Sequence, residues 1–303
     1  MKKLKCIFIG FGKHAEKYAE VCKYLNIEIR AICVNKPEKY IIKKKQFNIQ
    51  NIYINYIDLL TKENYDFVMV FLPWDKIDKH LPSIIKNTKK NIFCEKPVAL
   101  SLKKILRINS LSLKYKKKIF VLYNRRFYKI FDYIKKKLKN NKLIKFTMNI
   151  SERENQLIKL HSTKIRGKLK YHITSHWIDL VMWLFSLNRL KIDRNKKKYV
   201  IKFNKKKIFN NIYLDYHGNG PIKMSFFFKT FKYELITLEK LYILKKDKKK
   251  LILNENKENK FKPGVLNIVK IIKKINQTNT FKHELPNISD LINLYKNIQY
   301  IKN

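Results

Sequence analysis

The apolar run Leu4-Lys5-Cys6-Ile7-Phe8-Ile9 stops at Gly10-Phe11-Gly12-Lys13-His14-Ala15, after which Tyr18, Ala19, Val21, Cys22 and Leu25 recur at helical spacing. No other stretch restricts the fold so strongly. Gly10 permits a tight turn after a strand, Gly12 lets a pyrophosphate approach the backbone, and the small Ala15 lets helix and strand pack closely. The N-terminus of the helix then faces the anion. In a chain with only six glycines, two at these positions form a dinucleotide fingerprint in its proper strand-turn-helix setting. Gly10, Phe11, Gly12, Lys13 and His14 are therefore expected to touch a bound NAD or NADP.

Strand and helix signals go on alternating. Ile27–Val34, Asn51–Ile54, Phe67–Leu72, Ile92–Cys94 and Ile119–Tyr123 read as strands, with helical spacing over 75–89 and 101–115. That rhythm predicts an α/β fold, a doubly wound parallel Rossmann sheet over residues 1–123. From residue 124 the pattern changes. Helices are expected over 127–138 and 172–185 and strands over 144–150, 199–203, 208–216, 222–228, 232–238 and 241–244, with closing helices over 266–275 and 288–301. Strands without long helices between them predict a C-terminal α+β domain, 124–303, on a largely antiparallel sheet that serves substrate binding and oligomerisation.

The formal net charge of +46 would ordinarily point to a polyanion partner. Yet only eight of the 69 basic residues are arginines, the side chain that recognises phosphate and guanine bidentately. Lysine, asparagine and isoleucine dominate as they would after compositional drift, and a drifted surface and a polyanion-binding surface both remain open. The four cysteines contain no Cys-x-x-Cys pair and sit in apolar runs, as small core residues of a reducing compartment do. The apolar run after Met1-Lys2-Lys3 is too short for a signal peptide or a membrane span, which predicts a cytoplasmic protein.

Candidate chemistry clusters after strand ends, where open α/β sheets bind ligands. Glu95-Lys96-Pro97 follows the run Asn91–Cys94 and places one ammonium there, beside a carboxylate and a conformationally fixed proline. The end of the second strand, where an acid would grip the ribose of NAD, holds Asn35 and then Lys36. Losing the carboxylate removes repulsion against a 2′-phosphate, so NAD and NADP both stay open. Leu72-Pro73-Trp74 after the fourth strand is expected to flank the nicotinamide. Arg125 and Arg126 are candidates for clamping an anionic substrate group, or for a salt bridge to a neighbouring helix. His172 and His176 are four apart, hence on one helical face, with Asp179 three further on and able to orient one ring. For a zinc site no third ligand is evident nearby except Asp179, no Glu sits between the two histidines as in metalloproteases, and no metal is expected.

Taken in order, the fingerprint, Glu95-Lys96-Pro97, Tyr123-Asn124-Arg125-Arg126-Phe127 and Ser175-His176-Trp177-Ile178-Asp179 resemble the glucose-fructose oxidoreductase, inositol dehydrogenase and MocA (Gfo/Idh/MocA) family. The resemblance covers essentially the whole chain and is tight to about residue 130 and over 170–185. It implies a Rossmann domain followed by an α+β domain, with Lys96 matching the family's active-site lysine and His176 its histidine. The position of the family's aspartate, one turn earlier, holds His172, a departure from the pattern. Tyr123–Phe127 is most like members found in surface-polysaccharide gene clusters, which implies a sugar or nucleotide-sugar substrate.

The expected activity is transfer of a hydride between a nicotinamide and a secondary alcohol or ketone of such a substrate. Catalysis is expected from Lys96, His176 and His172, cofactor contacts also from Glu95, Lys96 and Asn124, and substrate contacts from Arg125, Arg126, Lys96 and His176. A homo-oligomer, dimer or tetramer, with no specific nucleic acid and no membrane partner, completes the expectation. A catalytically decayed nucleotide-binding sensor of the same fold and a polyanion-binding protein are the alternatives.

Overall fold

Short apolar runs between amphipathic stretches become strands because a strand buried on both faces needs no polar side. β1 (Lys5–Ile9), β2 (Glu28–Cys33), β3 (Asn51–Tyr53), β4 (Phe67–Val70), β5 (Asn91–Cys94) and β6 (Ile119–Val121) form one sheet of order β3-β2-β1-β4-β5-β6. Every neighbouring pair is parallel. The crossovers are α1 (Lys13–Tyr24), α2 (Ile41–Phe47), α3 (Tyr56–Lys62), α4 (Ile77–Asn87) and α5 (Leu102–Lys114). α1 buries Ala15, Tyr18, Ala19, Val21 and Cys22, one face of its amphipathic pattern. α5 begins at Ser101, whose hydroxyl oxygen accepts the Lys104 N–H at 3.3 Å. This is the doubly wound sheet that the sequence predicts, and its strand order reverses between β1 and β4.

The computed structural model describes residues 3–161, 163–165, 167–195, 198–205, 208–246, 248–258, 260–278 and 285–301. The chain divides into two compact units, one of Met1–Asn124 with Gly264–Ile292 and the other of Arg125–Pro263 with Asn293–Asn303. In the second unit α6 (Lys129–Asn140), β7 (Leu143–Ser151), α7 (Glu154–His161) and α8 (Ser175–Phe185) precede a run of strands. These are β8 (Lys191–Asn195), β9 (Lys198–Lys205), β10 (Ile208–Asp215), β11 (Lys223–Phe228), β12 (Lys232–Ile236), β13 (Lys240–Lys245) and β14 (Lys248–Asn254). With β7 these make an eight-stranded sheet of order β14-β13-β12-β11-β7-β10-β9-β8. Only β7 and β10 pair in parallel, so the sheet is largely antiparallel as expected.

Strand alternation puts Phe146 and Met148 of β7, Ile201 and Phe203 of β9, Ile212 and Leu214 of β10, and Met224 and Phe226 of β11 into the core of that unit. Phe146 lies 5.0 Å from Phe185 of α8 and 4.9 Å from Phe226, ring centre to ring centre. The opposite face is polar and carries a charge cluster. Glu234 of β12 is buried there and accepts hydrogen bonds from Lys232 at 2.8 Å and Lys249 at 3.3 Å, with Lys223 3.0 Å away. Burial alone would raise its pKa, but the hydrogen bonds of Lys232 and Lys223 outweigh that and hold it at about 2.

α9 (Glu255–Glu258) supplies Glu255, whose carboxylate accepts the Ile130 N–H at 2.7 Å and so satisfies a donor at the start of α6. α10 (Val265–Thr278) returns to the first unit and buries Val265, Ile268, Val269, Ile272 and Ile275. It packs against α1, and Lys273 donates to the Leu25 carbonyl at 3.0 Å. Val121 N–H of β6 then donates to Pro286 at 2.7 Å, ahead of the last helix, α11 (Ile288–Ile298). Cys6, Cys22, Cys33 and Cys94 are buried thiols. Among the described residues no helix is long and apolar enough to cross a membrane.

Two outcomes follow from this packing. Phe226→Ala should destabilise the second unit by about 3–5 kcal/mol, read as a shift of urea unfolding followed by the fluorescence of Trp177 and Trp183. Glu234 has a depressed pKa, so its contribution is full above about pH 4.5, the ordinary carboxyl value, and fades as pH falls towards about 2. Glu234→Gln should therefore lower thermal stability at pH 7 and flatten the loss of Tm that the wild type shows across that acid window.

Candidate dinucleotide groove and reactive residues

The turn after β1 exists because residue 10 has no side chain. Gly10 has φ +84°, and a Cβ there would sit 2.5 Å from the Phe71 carbonyl oxygen. Its N–H donates to the Cys33 carbonyl at 2.9 Å, so the end of β1 is drawn close to residues that follow β4 on one side and to β2 on the other. Gly12 caps α1 with extended backbone, φ −86° and ψ −178°, and a Cβ there would meet nothing within 4 Å. The approach to the N-terminus of α1 is thus open, as binding of a pyrophosphate requires.

A groove of about 960 Å³ lies along this edge of the first unit. Of the expected cofactor contacts, Gly10, Phe11, Gly12, Lys13, His14, Asn35, Lys36, Leu72 and Pro73 line it. Trp74, Glu95, Lys96 and Asn124 are not among its lining residues, although each follows the carboxyl end of β4, β5 or β6 on the same edge of the parallel sheet. Lys39, Tyr40, Tyr56, Lys76 and His80 also line the groove and escaped the sequence reading. The signal was positional: they sit at or beyond the carboxyl ends of β2, β3 and β4, the edge that the strand order makes a binding edge. The volume, the open helix end and the glycine turn fit a dinucleotide.

His14, on the first turn of α1, stacks near Tyr18 and Phe71 with ring centres 5.6 and 5.9 Å away, and its Nε2 is 3.5 Å from Glu95 Oε2. That contact ties the fingerprint helix to the Glu95-Lys96-Pro97 segment, while the Glu95 N–H donates to Val70 at 2.9 Å. Lys96 is half-buried and its peptide bond to Pro97 is cis. Asn124 and Tyr123 are buried just beyond β6.

In the second unit the helix expected from His172 begins as a π turn, Lys170–Thr174, that runs without a break into α8. A π turn takes an extra residue per turn, and such turns recur at functional sites. His172 is half-buried on it and His176 is buried on α8. Thr174 donates to Glu152 at 3.0 Å and lies 3.2 Å from the Tyr216 hydroxyl, a buried polar network; burial pushes the Tyr216 pKa up. Both carboxylate oxygens of Asp179 accept from Arg126, one from Nε at 2.8 Å and the other from Nη2. Of the two arginine roles open in the sequence, Arg126 takes the salt bridge to a helix. Arg125 lies over Trp177, its guanidinium carbon 3.3 Å from the ring centre, and its buried Nη1 makes no hydrogen bond among the described residues. Burial lowers its pKa to about 10, against the opposing pull of Tyr128, Glu152, Glu239 and Asp179, so it stays charged at neutral pH. Among the described residues no group of three or more His, Cys, Asp or Glu is arranged to hold a metal ion.

Residues 4–123 match the profile of the GFO_IDH_MocA oxidoreductase family, NAD-binding Rossmann fold. Over 180 residues the chain is 25% identical to the myo-inositol 2-dehydrogenase of Thermotoga maritima, covering 58% of this chain and 53% of that protein. The chain thus spans about half the length of the curated relative it matches. Its fold is like that of a dehydrogenase (MviM) from Clostridium difficile, with TM-score 0.80, 17% identity and 98% of each chain covered. An oxidoreductase from Agrobacterium radiobacter solved with NAD+, L-tartaric acid and magnesium has TM-score 0.74 and 14% identity, covering 98% of this chain and 95% of its own. Residues 4–123 thus carry the match to the NAD-binding Rossmann fold of the Gfo/Idh/MocA oxidoreductases.

Proposed function

We propose that the protein is an NAD(P)-dependent oxidoreductase that moves a hydride between nicotinamide and a secondary alcohol or ketone of a sugar or nucleotide sugar, in the service of surface-polysaccharide synthesis. The observation that carries this reading is the glycine turn at Gly10, which opens a dinucleotide-sized groove onto the N-terminus of α1. The relative from Thermotoga maritima is named for a polyol, myo-inositol, which supports a polyhydroxylated substrate.

Gly10, Gly12 and Lys13 would hold the pyrophosphate, and Asn35 with its neighbours the adenosine ribose. When bound, the nicotinamide gives or accepts the hydride. The tasks left to the chain are to manage one proton and one developing charge. His176 takes the hydroxyl proton when the substrate is oxidised and returns it in the reverse direction. The Lys96 ammonium stabilises the alkoxide as it forms. His172, in place of the family's aspartate, keeps His176 in the productive tautomer. Arg125, held on Trp177 with a hydrogen-bonding nitrogen to spare, is the better candidate for an anionic group of the substrate than Arg126, which Asp179 engages. We place the enzyme in the cytoplasm as a homo-oligomer, and Ile144, Tyr213 and Leu251, exposed on strands of the larger sheet, support an interface there.

A second reading, a nucleotide-binding sensor without turnover, draws on His172 standing where the family has an aspartate. Fluorescence titration with NADH and NADPH, followed by a screen of nucleotide sugars at the nicotinamide absorbance, separates the two. Dinucleotide binding with turnover supports the enzyme, binding without any turnover supports the sensor, and no binding rejects both. In the enzyme, His176→Ala and Lys96→Ala should each lower kcat by about 10²–10⁴-fold. Undiminished turnover in either variant would remove that residue from the mechanism. Gly12→Ala should leave thermal stability within about a degree, since its methyl meets nothing, while weakening dinucleotide binding at least tenfold. Gly10→Ala should instead unfold or strongly destabilise the first unit; equal melting temperatures for the two variants would refute the assigned roles of the glycines.

A further inference from the structure

The groove is unusual in its charge. Among the described residues its lining includes Lys13, Lys36, Lys39 and Lys76 and not one aspartate or glutamate. The acid that would grip the 2′- and 3′-hydroxyls of an adenosine ribose should stand just past β2. That place belongs to Asn35, and the short helical turn Pro37–Tyr40 then fixes Lys36 at its start and Lys39 near its end. Lys36 and Lys39 are both exposed, and among the described residues neither has a carboxylate partner. Glu38 of the same turn is not among the lining residues, and Glu16 of α1 is taken by Lys43 at 2.9 Å.

We infer that the groove selects the 2′-phosphorylated dinucleotide, NADP(H), over NAD(H), with Lys36 and Lys39 as the clamp on the extra phosphate. The inference rests on the reading of the groove as the dinucleotide site. A 2′-phosphate adds a charge of about −1.5 to −2 at pH 7, and no carboxylate in the lining repels it. Two ammonium groups whose charges are not already neutralised lie three and six residues past Cys33, the strand end that places the ribose. Asn35 can still hydrogen-bond a ribose oxygen, but it offers NAD no charged grip on the diol. Lysine abundance elsewhere on the chain does not produce this pattern, because what matters is which charges the groove gathers and which it leaves out.

The test uses the intact protein and nicotinamide fluorescence. NADPH should bind at least tenfold more tightly than NADH at low ionic strength, and the gap should narrow as salt is added. In a Lys36→Gln/Lys39→Gln double variant NADPH affinity should fall at least tenfold and NADH affinity less than threefold. Unspecific attraction to a basic protein is separated by competition: 2′,5′-ADP should displace NADPH about tenfold better than 3′,5′-ADP, which carries the same charge elsewhere on the ribose. Equal competition by the two isomers, or NADH binding as tightly as NADPH, overturns the inference and leaves the dinucleotide site standing. Failure of both dinucleotides to bind overturns the inference and the function proposed above together.

Discussion

Everything along the binding edge of the first unit depends on one atom that is missing. A methyl group on residue 10 would lie 2.5 Å from the Phe71 carbonyl oxygen, so only glycine lets β1 end where it does. With that turn in place, α1 starts close under the sheet, its buried Ala15 packs tightly, and its free amide end opens towards the groove. Tyr18, Phe71 and His14 then stack in a short column that reaches Glu95. The chain thus passes a backbone constraint from a turn to the segment that carries Lys96. Of the two fingerprint glycines, Gly10 is the one for which geometry leaves no substitute.

The large positive charge is handled locally. With 23 acidic residues against 69 basic ones, most lysines have no carboxylate to meet and must be solvated. The acids that are buried are used intensively. Glu234 serves Lys223, Lys232 and Lys249, and Asp179 takes a two-point contact with Arg126. A buried carboxylate left alone would be strongly destabilising, so such acids persist only with cations around them. Arginine, scarce here, is found where planar geometry counts, in the Asp179 fork and in the stack on Trp177.

Much of this architecture could be read from local patterns. The strands of the parallel sheet are mostly apolar runs, and α1, α4 and α5 keep a clear helical period, so these elements were legible, while the seven-residue α2 and α3 were too short to show a period. The larger sheet was legible in kind but not in extent. β8, Lys191–Asn195, is short and mostly polar, and β14, Lys248–Asn254, opens on three lysines, compositions that hide the alternation. The site residues that a motif fixes, Gly10 to His14, were readable. Lys39, Tyr56, Lys76 and His80 were not, because strand order brings them to the groove and no local spacing encodes strand order. The engagement of Asp179 by Arg126 likewise joins residues 53 apart, beyond the reach of any helical spacing rule.

Neither unit is one continuous stretch of chain. The first is interrupted after Asn124 and resumes only at Gly264, where α10 lays its apolar face against α1 and Pro286 pairs with β6. During synthesis the nucleotide-binding sheet must therefore wait, one helical flank uncovered, until more than a hundred intervening residues have left the ribosome. A fragment ending at the last parallel strand would keep the fingerprint and lose the layer that shields it. For this chain the portion that looks like a self-sufficient module on paper is the one that can be finished only after the strands of the second unit have been made.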